Sequence, residues 1–186
     1  MLPVPMTQDS SPMQKLSELF RDVEPTYNRI CEWKKLSEKE TDVFKKFIFH
    51  WISFNGLYNA YQDHECQQGR YKQGSEKEQE WKIIENFCND FVRYELASEI
   101  TKSDAVRNFK GNIKDESRHM GEWLDKLKDS SLSEDELAKA AVMVAYKIRC
   151  RLFHGEKNPD LDVNRKVCEA ADLVISKVLE TVLDHC

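Results

Sequence analysis

Between Ser133 and His154 the chain is apolar on two opposite sides of one helix. At about 100° per residue, Leu137, Ala141, Val144, Ala145, Ile148 and Leu152 gather on one side, while Met143, Tyr146, Cys150 and Phe153 line the other. A surface helix needs one apolar face, so a second face means burial on both sides. The segment is therefore the central helix of a bundle, or its second face meets another chain. Its ends are marked as well. Ser133-x-x-Glu136 is a capping box, and Gly155 suits the left-handed backbone that ends a helix.

Helical period recurs along the rest of the chain. Ser11-Pro12 predicts a helix start, with Leu16, Leu19, Phe20 and Val23 as its stripe before Pro25 interrupts it. A second short helix is expected to carry Tyr27, Ile30, Cys31 and Trp33. Ser37-x-x-Glu40 reads as a capping box opening the longest regular pattern, in which Phe44, Phe47, Ile48, Trp51, Phe54, Tyr58 and Tyr61 form a wide apolar face. Asn55 falls inside that face, where an amide without partners costs roughly 1–3 kcal/mol. His50 reads as lying off this stripe. "CQQGRYKQGSEKEQE" is a polar loop, and Ser75-x-x-Glu78 within it is expected to open a helix through Trp81, Ile84, Phe87 and Phe91. Residues 98–118 read as a short helix and loop. Met120, Trp123, Leu124 and Leu127 mark another helix, and "NPDLDVNRK" starts the last.

No segment alternates with strand period. The expected fold is all-α: a single-domain antiparallel helical bundle with extra short helices over residues 13–186, after a flexible N-terminal segment at 1–12. A composition of 40 % apolar and 33 % charged residues suits a folded globular chain and excludes a disordered one. No apolar run approaches a membrane span, and the N-terminus lacks the pattern of a signal peptide, so a cytoplasmic location is expected. The six cysteines are scattered without a Cys-x-x-Cys pair. They read as reduced thiols packed as small hydrophobes, with no metal site and no cofactor expected.

A net charge of −5 argues against a general nucleic-acid coat protein. Yet Tyr146 to Lys157 holds four basic residues, Lys147, Arg149, Arg151 and Lys157, against one acid, with His154 in addition. Arg149 and His154 lie about 140° apart around an ideal helix, so one straight helix does not converge them on one small group. If the Met143, Tyr146, Cys150 and Phe153 stripe is a two-fold interface, His154 approaches its counterpart and the arginines of both chains can join a composite site. An imidazole there can serve acid–base chemistry. Arginines in a last helical turn are also ordinary dipole partners, and a histidine before a C-cap glycine can be a capping residue. Residue types alone leave both readings open.

Two stretches together resemble a known family. "IRCRLFHG" resembles the signature of the HEPN superfamily, small all-α proteins whose motif is an arginine, four to six residues, then a histidine; Arg149-x-x-x-x-His154 fits it. "FIFHWISFNGLYNAY" (Phe47 to Tyr61) is similar to the aromatic helix of bacterial members, often W-x-x-F-N-x-L-Y. The resemblance implies a metal-independent endoribonuclease of toxin–antitoxin or phage-defence type, acting as a homodimer on RNA and held by a cognate antitoxin or regulatory protein. On that footing Arg149 would bind the scissile phosphate and His154 would be the acid or base. Arg151, Lys157 and Asn55 would be weaker contacts to phosphate or RNA. The residue after the motif arginine, often asparagine or aspartate in relatives, is Cys150 here. Glu156 stands where one subgroup carries a tyrosine that accepts a nucleotide. The alternative implied by other relatives is a non-catalytic helical module that binds RNA, nucleotide or a partner protein.

Overall fold

In the computed structural model of the chain, residues 24–69, 79–92, 94–112, 121–155, 158 and 160–183 are described. They form eight helices: α1 (Glu24–Lys39), α2 (Val43–Gln67), α3 (Glu80–Phe91), α4 (Tyr94–Lys102), α5 (Asp104–Asn112), α6 (Gly121–Lys128), α7 (Glu134–Phe153) and α8 (Asp162–Val182). No strand occurs among the described residues. The architecture is an all-α bundle. The segment 1–12 and the helix expected from Ser11 to Val23 lie outside the described residues, as do Ser75, Glu78 and Met120.

α7 answers the question its two stripes raise. It packs against α3, α4, α6 and α8. Ala141, Val144, Ala145 and Ile148 are wholly buried on one side, and Met143 and Tyr146 are buried on the other. The helix is central, and its own chain covers most of both faces. Its limits follow the local signals. Ser133 accepts from the Glu136 backbone N–H while the Glu136 side chain accepts from the Ser133 N–H, which satisfies two otherwise orphaned donors.

α2 is the second organising element, packed on α1, α3 and α8. Its aromatic side chains stack in a chain of edge contacts, Phe47 to Trp51, Trp51 to Phe54, Phe54 to Tyr58 and to Phe87. Such pairs stabilise by about 0.5–1.5 kcal/mol each beyond the area they bury. α1 approaches α2 closely at Gly56, where a Cβ would stand 2.8 Å from Ile30 Cγ1.

Three sequence expectations need correction. Ser37 does not cap α2: it lies in the last turns of α1, buried, its hydroxyl donating to the Lys34 carbonyl at 2.5 Å. The cap is Asp42, which accepts from the Lys45 N–H at 3.0 Å, while Glu40 accepts from the N–H groups of Thr41 and Asp42. Within 98–118, the described residues are more helical than expected. α4 and α5 are separated at Ser103 and bury Ile100, Ala105, Val106 and Phe109, and that tertiary burial outweighs the polar composition. Finally, Cys31 is disulfide-bonded, while Cys66, Cys88, Cys150 and Cys168 are free thiols, so six reduced thiols is not the arrangement found.

His50 also departs from expectation. It lies inside the buried face, 3 % exposed, with Nδ1 2.5 Å from Oδ1 of Asp172 on α8. Three residues after Phe47 and four before Phe54, it was bound to share their side of α2. The carboxylate fixes the ring nitrogen as a donor.

Candidate functional site

Gly155, at φ 72°, terminates α7, a backbone conformation that costs glycine nothing. His154 is the C-cap, its N–H donating to the Cys150 carbonyl at 3.0 Å. The residue is exposed, and its ring takes no hydrogen bond or ion pair among the described residues. It stands at the negative end of the helix dipole with its chemistry uncommitted.

Arg149 is in a different situation. Its guanidinium Nη1 lies 3.1 Å from Oε2 of Glu80, the first residue of α3. Its Cζ sits 5.5 Å from the Trp51 ring centre and 4.9 Å from that of Phe153, both within cation–π range. Nε is buried without a partner. Glu80 is the hub of this arrangement, because its other oxygen accepts from the Tyr58 hydroxyl at 2.6 Å. The Asn55 amide in turn donates to that hydroxyl. Asn55 and Arg149, on α2 and α7, are thereby joined through Tyr58 and Glu80.

The tyrosines record this environment. Burial pushes the Tyr58 hydroxyl far above its ordinary 10.0, and the Glu80 carboxylate adds to the rise. Burial also raises Tyr146, helped by the Cys150 thiol beside it and then by Glu80. A raised folded value leaves stability untouched below pH 10, where both states keep the proton. Above it the unfolded chain ionises and the folded one does not, so stability falls as pH climbs. An absorbance titration of phenolate should therefore leave Tyr58 and Tyr146 unionised past pH 10, until alkaline unfolding releases both. Both phenols titrating near 10 in the folded protein would contradict this environment.

The candidate residues thus separate into groups. Arg149 and Asn55 share one network. His154 lies about 140° around the helix from Arg149, and no hydrogen bond or ring contact joins them, so a single chain does not bring the pair onto one small group. Arg151 is half-buried, and Lys157 lies outside the described residues. Of the stripe expected to face a partner, Met143 and Tyr146 are covered by their own chain, Cys150 is half-buried, and Phe153 is 57 % exposed. The sequence reading missed Glu80 and the hydroxyl role of Tyr58. Glu80 sat at the end of a stretch read as polar loop, and only its place one residue before the Trp81, Ile84, Phe87 stripe marked it as the start of a helix.

Among the described residues, no group of three or more metal-ligating side chains is gathered, and no helix is long and apolar enough to cross a membrane. Comparison with protein-family models, curated proteins and solved structures returns no match.

Proposed function

We propose that the chain is a metal-independent endoribonuclease of the HEPN type whose active site is completed by a second copy. The observation that supports this reading is the meeting of the two family-like segments. The aromatic helix α2, through Tyr58 and the Asn55 amide bonded to it, and the motif helix α7, through Arg149, converge on Glu80, and Trp51 of α2 lies against the Arg149 guanidinium. A chance match of two short motifs would have no reason to share a network.

In the proposed reaction the ribose 2′-oxygen attacks the neighbouring phosphorus, and the bond from phosphorus to the 5′-oxygen breaks. His154 takes the 2′-hydroxyl proton or gives one to the leaving 5′-oxygen. Arg149 neutralises charge on the pentacoordinate phosphorus. The products are a 2′,3′-cyclic phosphate and a 5′-hydroxyl, and DNA is spared for want of the nucleophile. Arg149 would exchange Glu80 for phosphate, an acceptor its planar fork matches equally well.

The composite site needs a contact between copies near His154. Phe153, directly before His154, is an exposed apolar residue, as are Leu161 and Val163 at the start of α8. Phe153→Glu is therefore expected to convert a dimer into a monomer by light scattering and to abolish cleavage. A variant that remains dimeric and active would remove this interface. One observation favours a second reading: Arg149 is already paired and stacked, as an arginine with a purely structural or binding role would be. In that case the chain is a non-catalytic module that holds RNA, nucleotide or a partner protein without cutting.

A further inference from the structure

Between α3, α6 and α7 lies a groove of about 410 Å³, within the size range of small-ligand sites. Trp81 of α3 and Trp123 of α6 line it, with Met143 and Lys147 of α7 beside them. Two carboxylates also line it, and each has a lysine. Glu122 pairs with Lys126 at 3.0 Å, and Glu85 pairs with Lys139 at 3.0 Å. Lys147 has no carboxylate partner among the described residues; its ammonium sits over the Tyr146 ring, 5.2 Å from the centre. Trp123 is 9 % exposed and carries the Lys126 ammonium 4.2 Å from its ring centre, so the groove offers the half-buried Trp81 indole as its open aromatic surface, Lys147 as a cation without a carboxylate, and carboxylate acceptors for base N–H groups.

Its position along α7 gives it a use. Lys147 and His154 are seven residues apart, which places them within about 20° of one face and roughly 10 Å apart along the axis. Arg151, four residues after Lys147, borders the same line. On α3, Trp81 directly follows Glu80, the residue that holds Arg149. The groove and the motif end of α7 are thus neighbours along both helices.

We infer that this groove is a nucleobase subsite for single-stranded RNA, with Lys147 receiving the phosphate of the nucleotide whose base stacks on Trp81, beside the Trp123 ring that Lys126 covers. Aromatic platforms beside a basic track are the physical basis of single-strand binding, because every base has a π-face. The inference rests on the proposal that the chain acts on RNA, and it adds where a nucleotide flanking the cut is held.

The test is to titrate the full chain with a 2′-O-methyl tetra-adenylate, which lacks the nucleophilic hydroxyl, while following the indole N–H resonances. The expected result is movement of the Trp81 and Trp123 signals, with Trp33 on α1 as the unmoved control. Lys147→Ala and Trp81→Ala should each weaken binding roughly tenfold. The lysine variant removes no core packing, so it reports even if the tryptophan variant folds poorly. Adenosine monophosphate binding as tightly as the tetranucleotide would overturn the assignment to RNA in favour of a free nucleotide. Unmoved Trp81 and Trp123 signals in a protein that cuts ordinary RNA would overturn the subsite and leave the ribonuclease proposal standing. Movement of those signals without any cutting of ordinary RNA would uphold the subsite and sink the ribonuclease proposal instead.

Discussion

Replacing His154 with alanine is expected to abolish RNA cleavage, by about 10²–10⁴-fold if acid–base catalysis is its only role. Folding should be unaffected. The residue is exposed, and its ring bonds to nothing among the described residues, so stability should change by no more than about 0.5 kcal/mol. Arg149→Ala should cost activity on the order of 10²–10³-fold, but not cleanly. It also strips Glu80 of its cation and removes the group held against Trp51 and Phe153. Comparing the two variants separates chemistry from architecture: loss of cleavage with unchanged melting for His154, loss of both for Arg149. Arg149→Lys should rescue little, because an ammonium keeps the charge and forfeits the fork and the stacking. A well-folded His154→Ala protein that still cuts RNA would remove the catalytic role assigned here.

The largest stability effect is expected where α2 meets α8, at the His50–Asp172 pair. Asp172→Ala should cost about 3 kcal/mol in denaturant unfolding, since it leaves a buried imidazole donor without an acceptor. The same carboxylate has a second cationic neighbour, Lys46, at 3.9 Å and 39 % exposed. Lys46→Ala should cost under about 1 kcal/mol, because solvent screens that pair. A double-mutant cycle between His50 and Asp172 should return a strong coupling, and one between Lys46 and Asp172 a weak one. Equal costs for Asp172→Ala and Lys46→Ala would contradict the burial and geometry described.

What the sequence carried and what it hid divide along physical lines. The limits of α7 were legible because capping is local: Ser133, Glu136 and Gly155 act within one turn of the backbone they satisfy. The all-α fold was legible from periodicity, which averages over many residues. Ser37 misled because the same serine–glutamate spacing can sit inside a preceding helix, and the competing Asp42 lay five residues on. His50–Asp172 and Glu80–Arg149 were hidden because each joins residues far apart in sequence, across helices whose packing no local rule gives. The two faces of α7 were read correctly as a demand for burial on both sides. The sequence left open which neighbours met that demand, and those are α3, α4, α6 and α8 of the same chain.

The most direct measurement is of the ends left on cut RNA. Total RNA is incubated with the protein and with its His154→Ala variant, in the presence of a metal chelator, and the fragment termini are determined. The account predicts 2′,3′-cyclic phosphate and 5′-hydroxyl ends, formed only by the unmutated protein and undiminished by the chelator. Intact RNA in both samples, or fragments bearing 5′-phosphates that the chelator suppresses, would contradict it.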